Sequence, residues 1–238
     1  MKHSHLHKTG LINFPVLLKV VGWLLIIESA FLLVPFATSC IYGEKDSMIF
    51  LISAVTTAVT GILLNHCIHP RTKTLRKRES ILLTSLTWIV FSIFGMIPFI
   101  FGSTHMSVSD AFFEAMSGFT TTGVSIIADP ASLSHGQLIW RSLMQWIGGL
   151  GIILFTLAVI PMLNSSGGVH LYNSEVTGIT HDKLTPRISS TAKMLWGIYF
   201  ILTIVLTLLL WIGPMDLFES ICHALSTVST GGFSTQAD

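Results

Sequence analysis

Two short segments of the sequence bring hydroxyl side chains and glycine together between long apolar stretches: SGFTTTGVS at 117–125 and STVSTGGFS at 226–234. Neither contains an acid paired with a base, a cysteine–histidine cluster or a phosphate-loop lysine, so their residue types do not favour catalysis or a transition-metal site. Backbone carbonyls can replace the water shell of a cation, and glycine permits backbone angles that turn carbonyls to one side. The segments therefore indicate an oxygen-lined site for a hard cation. Neither TTTGV nor STGGF contains a carboxylate, which does not favour a divalent ion.

The two segments are copies of one longer unit. AMSGFTTTGVS (115–125) aligns without a gap with ALSTVSTGGFS (224–234), and the same offset of 109 residues places the apolar stretch 81–101 on 190–210. A single copy would fit an ordinary turn or helix cap in an outer loop equally well. Two ungapped copies after equivalent apolar stretches favour a duplicated helix–loop–helix unit, which is common in membrane transport proteins.

The composition indicates an integral membrane protein. The chain of 238 residues is 51% hydrophobic and 11% charged, with a mean hydropathy of +0.72, whereas soluble domains carry about a quarter charged residues. Its net charge of +1 gives no basis for nucleic-acid binding. Five stretches are long and apolar enough to cross a bilayer, at residues 14–36, 48–67, 81–101, 138–163 and 193–212.

The basic residues set the expected orientation. With five crossings, 11 of the 13 lysines and arginines fall on one side of the membrane, and only Lys45 and Arg141 fall on the other. The N-terminus and the two basic loops after the second and fourth spans are therefore expected in the cytoplasm. The half-polar stretches 106–136 and 214–238 then both begin on the outer side. The stretch 106–136 must also end on the outer side, because the fourth span starts there. A re-entrant loop that reaches half-way through the membrane meets this condition.

A short helix over 110–119 is expected to enter the membrane ahead of the first hydroxyl-rich segment. Asp110 and Glu114 lie towards its N-terminal end, where the helix dipole tolerates negative charge, and its C-terminal end presents partial negative charge to a cation. Arg141, near the outer end of the fourth span, is expected to pair with Asp110 or Glu114 and brace this helix, with snorkelling to the membrane surface as the alternative. Glu28, inside the first span, is expected to form a buried hydrogen bond with a neighbouring helix, with a functional intramembrane acid as the alternative.

Three longer motifs resemble the TrkH/KtrB family of potassium transporters: DAFFEAMSGFTTTGVS (110–125), WRSLMQWIGGLGI (140–152) with Pro161, and DLFESICHALSTVSTGGFST (216–235). The two apolar spans ahead of the first repeat resemble the TrkH branch. The resemblance implies an all-α integral membrane fold, potassium-channel-like, in which four helix–re-entrant pore loop–helix repeats surround one pore and two extra transmembrane helices precede them. Two further loops with a central glycine are expected beyond residue 238.

The resemblance also implies the function and the site. The implied function is potassium uptake across the bacterial cytoplasmic (inner) membrane, as the pore-forming subunit of a Trk-type system with a carbonyl-lined selectivity filter. Potassium is the transported ion, no covalently bound cofactor is implied, and passive flux and symport with protons or sodium both stay open. The filter residues surround two key glycines: Thr120, Thr121, Thr122, Gly123 and Val124 in the first copy, and Ser229, Thr230, Gly231, Gly232 and Phe233 in the second.

The expected organisation has four parts: two N-terminal transmembrane helices with a basic cytoplasmic loop over 1–79, the first repeat over 80–166, a cytoplasmic connection over 167–192, and the second repeat over 193–238. The resemblance implies a homodimer in membrane lipid. It also implies a cytoplasmic ring of nucleotide-binding regulatory subunits (TrkA-like). The connection is a candidate contact for this ring, with a solvated connecting loop as the equal alternative. Nucleic acid is not an expected partner.

Other functional classes are weaker. An intramembrane enzyme that used Ser or Thr as nucleophile would need a general base, but His223 is the only histidine near either segment and no GxSxG motif is present. No enzymatic activity is therefore expected. A non-conducting scaffold or receptor would not need two copies of a filter. A transporter of another monovalent cation, or of sodium and potassium alike, is the alternative within the same class.

Overall fold

The computed structural model describes residues 12–70, 77–164 and 184–236, and these residues form helices and loops without a β-strand. The helices within these ranges are α1 (Phe14–Ile41), α2 (Ser47–Cys67), α3 (Lys77–Gly95), α4 (Ile97–Phe101), α5 (Val108–Phe119), α6 (His135–Asn164), α7 (Leu184–Ile212) and α8 (Leu217–Val228). A 3-10 turn, Pro130–Ser132, precedes α6. The predicted all-α class is confirmed.

Four of the described helices are long and apolar enough to cross a membrane: Phe14–Ile41, Ser47–Cys67, Arg78–Phe101 and Thr191–Ile212. They match the first, second, third and fifth predicted spans. The fourth predicted span lies in α6, which has 30 residues and is about 45 Å long. Its N-terminal half carries four buried polar side chains: Gln137, Arg141, Ser142 and Gln145.

The third span is interrupted and tied to α6. α3 ends at Gly95 and α4 begins at Ile97, with Pro98 in its first turn, where the missing amide hydrogen of proline is tolerated. The carbonyl of Gly95 accepts a hydrogen bond from the Trp140 Nε1 of α6 at 2.9 Å. The break in the span therefore coincides with a buried contact between helices.

The two N-terminal helices, α1 and α2, pack closely against each other. At their crossing, a Cβ on Gly22 would lie 2.9 Å from the carbonyl oxygen of Gly61, and a Cβ on Gly61 would lie 2.7 Å from that of Gly22. Small residues allow this close approach of membrane helices. α1 also contacts α3 and α6, so the helix pair supports the first repeat.

The duplicated unit is visible in the helix boundaries. α5 and α8 each have 12 residues, and both their ends coincide at the offset of 109. Their N-caps also correspond, because the Ser107 hydroxyl accepts from the Asp110 amide and the Asp216 carboxylate accepts from the Glu219 amide. α5 packs against α3 and α6, whereas α8 packs against α7 and α6. α6 therefore contacts both short helices.

Candidate functional site

Both short helices end in the same hydrogen-bond pattern. At the end of α5, the amides of Thr121 and Thr122 donate to carbonyls of the last helical turn at 3.0 and 2.9 Å. At the end of α8, the amides of Thr230 and Gly231 make the equivalent bonds at 2.9 and 2.8 Å. These paired bonds form a Schellman cap, which ends a helix with one residue in the left-handed conformation.

The left-handed residue is a threonine in both copies. Thr121 has a φ of +54° and Thr230 has a φ of +57°, and the glycine two residues later is again left-handed, with φ +79° at Gly123 and +86° at Gly232. A β-branched residue with positive φ is rare, and such a conformation costs about 1–3 kcal/mol. Because the strained threonine occurs in both copies, we infer that this backbone conformation is kept despite its cost in stability. Alternation of left-handed and ordinary residues allows successive carbonyls to face one side.

The two hydroxyl-rich loops meet in space. A Cβ on Gly123 would overlap the carbonyl oxygen of Gly231, so the backbone of the first loop lies directly against that of the second. Gly232 is different, because none of the described atoms lies within 4 Å of its Cβ position. The first glycine is therefore enclosed by the second loop, whereas the second glycine faces open space.

The predicted filter residues differ in exposure. Thr122, Val124, Thr230 and Gly232 are exposed, Thr120, Thr121 and Gly123 are half-buried, and Ser229, Gly231 and Phe233 are buried. The Ser229 hydroxyl donates back to a carbonyl of its own helix at 2.9 Å. The buried residues can therefore contribute backbone carbonyls to an open site, but not side chains.

Arg141 joins the two loops from α6. Its Nε donates to Glu114 Oε1 at 2.9 Å and its Nη1 donates to the Ser234 carbonyl at 3.1 Å. The guanidinium carbon also lies 4.3 Å from the centroid of the Phe233 ring. Arg141 is 1% exposed and Glu114 is 0% exposed, so this is a buried ion pair. Of the two predicted partners, Glu114 pairs with Arg141 while Asp110 stays at the N-terminal cap of α5.

The first loop is also tied to its own short helix. The Glu114 carboxylate accepts from the Ser125 hydroxyl and the Ile126 amide, each at 3.0 Å. The Ser117 hydroxyl donates to the Val124 carbonyl at 2.5 Å. Because Glu114 and Ser117 both lie on α5, the loop segment that follows Gly123 is fixed from within the first repeat.

Two further α6 positions contact the second loop. The Gln145 side chain is fully buried, and its Oε1 accepts from the Phe233 amide at 3.1 Å. A Cβ on Gly149 would lie 3.1 Å from the Cβ of Ser229, so this glycine allows close packing. Gln145 was not predicted as a site residue. The available signal was its spacing of four residues from Arg141, which places both on one helix face.

Two acids in the loop between α1 and α2 fix the N-terminal end of α6, and they were not predicted as site residues. The Glu44 carboxylate accepts from the His135 amide at 2.6 Å. The Asp46 carboxylate accepts from the hydroxyls of Ser103 and Ser134 at 2.8 and 2.7 Å. Negative charge is favourable at a helix N-terminus, so these contacts hold α6 in place against both loops.

The expectation of a hydrogen bond for Glu28 is wrong. The side chain is 0% exposed, and neither carboxylate oxygen has a hydrogen-bond partner among the described residues. Its Oε1 lies 3.5 Å from the Cβ position of Gly95, a position that the Phe119 ring also approaches. As far as the described residues show, α1 therefore directs this acid into an apolar interface without a hydrogen-bond donor.

A comparison with protein families adds to this geometry. The family model of the cation transport protein TrkH matches residues 45–238. The chain belongs to the TrkH family. The matched region contains both copies of the short helix and its hydroxyl-rich loop, and the predicted resemblance is confirmed.

Relatives within the TrkH family match most of the chain. The Trk system potassium uptake protein TrkH of Escherichia coli (strain K12) is 38% identical over 225 residues, covering 94% of this chain and 46% of that protein. The protein of the same name from Vibrio parahaemolyticus is 36% identical over 228 residues, with 94% and 46% covered. The crystal structure of the potassium transporter TrkH from Vibrio parahaemolyticus has a TM-score of 0.81 at 32% identity, covering 94% of this chain and 45% of that one.

The chain spans about half the length of the curated relatives it matches. The four apolar helices, together with membership of the TrkH family, make it a multi-pass membrane protein.

Proposed function

We propose that this chain takes part in potassium uptake, as the portion of a Trk-type transporter that carries two segments of the selectivity filter. The observation that carries the proposal is the repeated left-handed Thr-x-Gly turn, at Thr121 to Gly123 and at Thr230 to Gly232, directly after two short helices. The printed function of the relatives, potassium uptake, supports the choice of ion.

The proposed filter acts through backbone oxygens. A potassium ion leaves its water shell and takes up carbonyl oxygens of residues 120–124 and 229–233 instead. α5 and α8 end at these loops, and the partial negative charge of a helix C-terminus favours a cation there. The exposed hydroxyls of Thr122 and Thr230 add oxygen atoms of the kind that hard cations prefer.

The proposed topology has a cytoplasmic N-terminus in the bacterial inner membrane, with 41–47 and 102–109 on the outer side. α5 and α8 then re-enter from outside. A helix of 12 residues is about 18 Å long, and the hydrocarbon core is about 30 Å thick. Each short helix therefore reaches the middle of the membrane, where its loop turns back. The proposed divisions are 1–79, 80–166, 167–192 and 193–238.

The partners are proposed from the family alone. They are a second copy of the transporter and a cytoplasmic ring of TrkA-like nucleotide-binding subunits that contacts 167–192. Most of that segment lies outside the described residues. Passive flux and symport with protons or sodium are both compatible with the proposal, and no catalytic role is assigned.

Expression from the complete gene, in a bacterium without its own potassium uptake systems, tests the proposal. The regulatory subunit is supplied in the same cells. We expect growth at low potassium and rubidium uptake that resists competition by sodium. Equal uptake of sodium would favour a general monovalent cation transporter. Absence of flux for both ions, at normal levels in the membrane, would contradict transport and favour a scaffold or receptor.

A further inference from the structure

At one of the positions where the two loops differ, a threonine in the first copy stands against a glycine in the second. Thr122 in the first loop corresponds to Gly231 in the second. Gly231 is not one of the described glycines with a positive φ, so its backbone angles do not explain why it lacks a side chain. There is no room for a side chain at this position, because a Cβ on Gly231 would overlap the side chain of Gln145.

Gln145 uses this space to reach the backbone of the second loop. Its Oε1 accepts from the Phe233 amide at 3.1 Å, and the side chain is fully buried. One turn earlier on α6, Arg141 Nη1 donates to the Ser234 carbonyl at 3.1 Å. Two side chains of α6 therefore bind the backbone of consecutive residues immediately after Gly232.

The first loop has a brace within its own repeat. There, the Ser117 hydroxyl of α5 donates to the Val124 carbonyl at 2.5 Å. The equivalent of Ser117 in the second repeat is Ser226, whose hydroxyl is buried and has no hydrogen-bond partner among the described residues. The second loop thus lacks this internal brace and is held from the first repeat instead.

The geometry of one peptide unit connects Gln145 to the proposed ion path. The carbonyl of Gly232 and the amide of Phe233 belong to the same peptide plane, and in a trans peptide they point in opposite directions. No cis peptide bond is present in the described residues. Because Gln145 binds the Phe233 amide, the Gly232 carbonyl is turned away from Gln145. Without an acceptor, the Phe233 amide would be a buried donor and the peptide would be free to rotate.

We infer that Gln145 is a positioning residue for the second filter segment, which sets ion discrimination by orienting the Gly232 carbonyl through the Phe233 peptide. This inference rests on the proposed potassium filter. It assigns part of the selectivity of one repeat to a helix of the other repeat, at a residue that does not itself face the ion.

The test measures rubidium uptake and its competition by sodium, with the protein expressed from its complete gene in cells that lack other potassium uptake. Gln145→Leu keeps the approximate side-chain volume but removes the acceptor. We expect it to reduce discrimination of potassium from sodium by up to the order of tenfold, the ratio that corresponds to the typical free energy of one buried hydrogen bond. Gln145→Glu keeps an acceptor oxygen and should restore discrimination towards the wild-type value.

Gln137→Leu is the matched control. Gln137 lies on the same helix and is equally buried, but its side chain donates to Thr104 at 3.3 Å. This variant should keep wild-type discrimination. Wild-type discrimination in Gln145→Leu at normal membrane levels, or an equal loss in Gln137→Leu, would overturn the inference.

If Gln145→Leu does not accumulate in the membrane, a second pair of variants tests the role of Gln145. Gly231→Ala should displace the Gln145 side chain and reduce discrimination in the wild-type background. In a Gln145→Ala background the space is already free, so Gly231→Ala should add little further loss. Full additivity would overturn the inference. A wild-type protein that takes up no potassium would instead overturn the proposed function, and the inference with it.

Discussion

Arg141 Nε and Glu114 Oε1 lie 2.9 Å apart at a position where both side chains are buried. The same guanidinium donates to the Ser125 hydroxyl of the first loop and to the Ser234 carbonyl of the second. A buried ion pair offsets the free-energy cost of its desolvation only when its remaining hydrogen bonds are also formed. Here these hydrogen bonds join Arg141 to residues of both repeats. One side chain therefore fixes the relative position of the two loops.

Removal of Arg141 should destabilise the protein more than removal of the whole pair. Arg141→Ala leaves Glu114 as an unpaired buried carboxylate, which costs about 3–5 kcal/mol, measured as folded yield and thermal stability in detergent. Adding Glu114→Gln should cost less than the sum of the single changes. Asp110→Asn is the matched control, since Asp110 is not the partner in the ion pair, and it should combine additively with Arg141→Ala. Additivity in both pairs would mean that Arg141 only snorkels.

Replacing the strained threonine of the second loop by glycine should stabilise the fold. Thr230 holds a φ of +57°, and Thr230→Gly removes a left-handed penalty of about 1–2 kcal/mol. The thermal unfolding midpoint should therefore rise. Thr227→Gly, inside α8, is the control and should lower the midpoint because glycine weakens a helix. Equal destabilisation by both changes would show that Thr230 is not strained.

Replacing the buried acid of α1 should also raise stability. Glu28 has no hydrogen-bond partner among the described residues, and an unsatisfied buried polar group costs about 1–3 kcal/mol. We expect Glu28→Met to raise the unfolding midpoint, whereas Glu114→Met should lower it because Glu114 has partners on both sides. A lower midpoint for Glu28→Met would indicate a partner of Glu28 beyond the described residues.

Cysteine labelling tests the orientation. Lys45 and His69 are both exposed and flank α2 on opposite sides. In a background without the three native cysteines, a membrane-impermeant thiol reagent applied to intact cells should label Lys45→Cys but not His69→Cys. Labelling of both from outside would contradict the crossing of α2, and labelling of His69→Cys alone would reverse the topology.

The duplication could be predicted because the residues that carry it act on the backbone next to them. A capping residue, an acid in the first turn and a Thr-x-Gly ending occur at the same spacing in both copies, and each acts on its own backbone. The first short helix begins two residues before the predicted 110–119, since Ser107 provides its cap. The prediction that Arg141 would pair with an acid of this helix needed two observations. The arginine and the acids have opposite charges, and Arg141 lies near the start of the span that follows the helix.

The contacts between repeats could not be predicted in the same way. The partner of Arg141 is Glu114 because Asp110 lies a full turn further out, and that depends on the rotation of α5 against α6. The role of Gln145 depends on the missing side chain of Gly231, more than 80 residues away in the sequence. Such a pairing becomes visible only when the helices are packed.

The most direct test of the account is ion discrimination in Gly232→Ser, expressed from the complete gene in cells without other potassium uptake. Gly232 has a φ of +86°, and none of the described atoms lies within 4 Å of its Cβ position. A serine there should therefore strain the backbone of the proposed filter and enter the proposed ion path without a clash with a described atom. Gly123→Ser serves as a comparison and should also lower folded yield, because its Cβ overlaps the Gly231 carbonyl. We expect Gly232→Ser to accumulate normally while sodium competes more strongly with rubidium uptake. Unchanged uptake and unchanged sodium competition at normal expression would contradict the assignment of these loops as the filter.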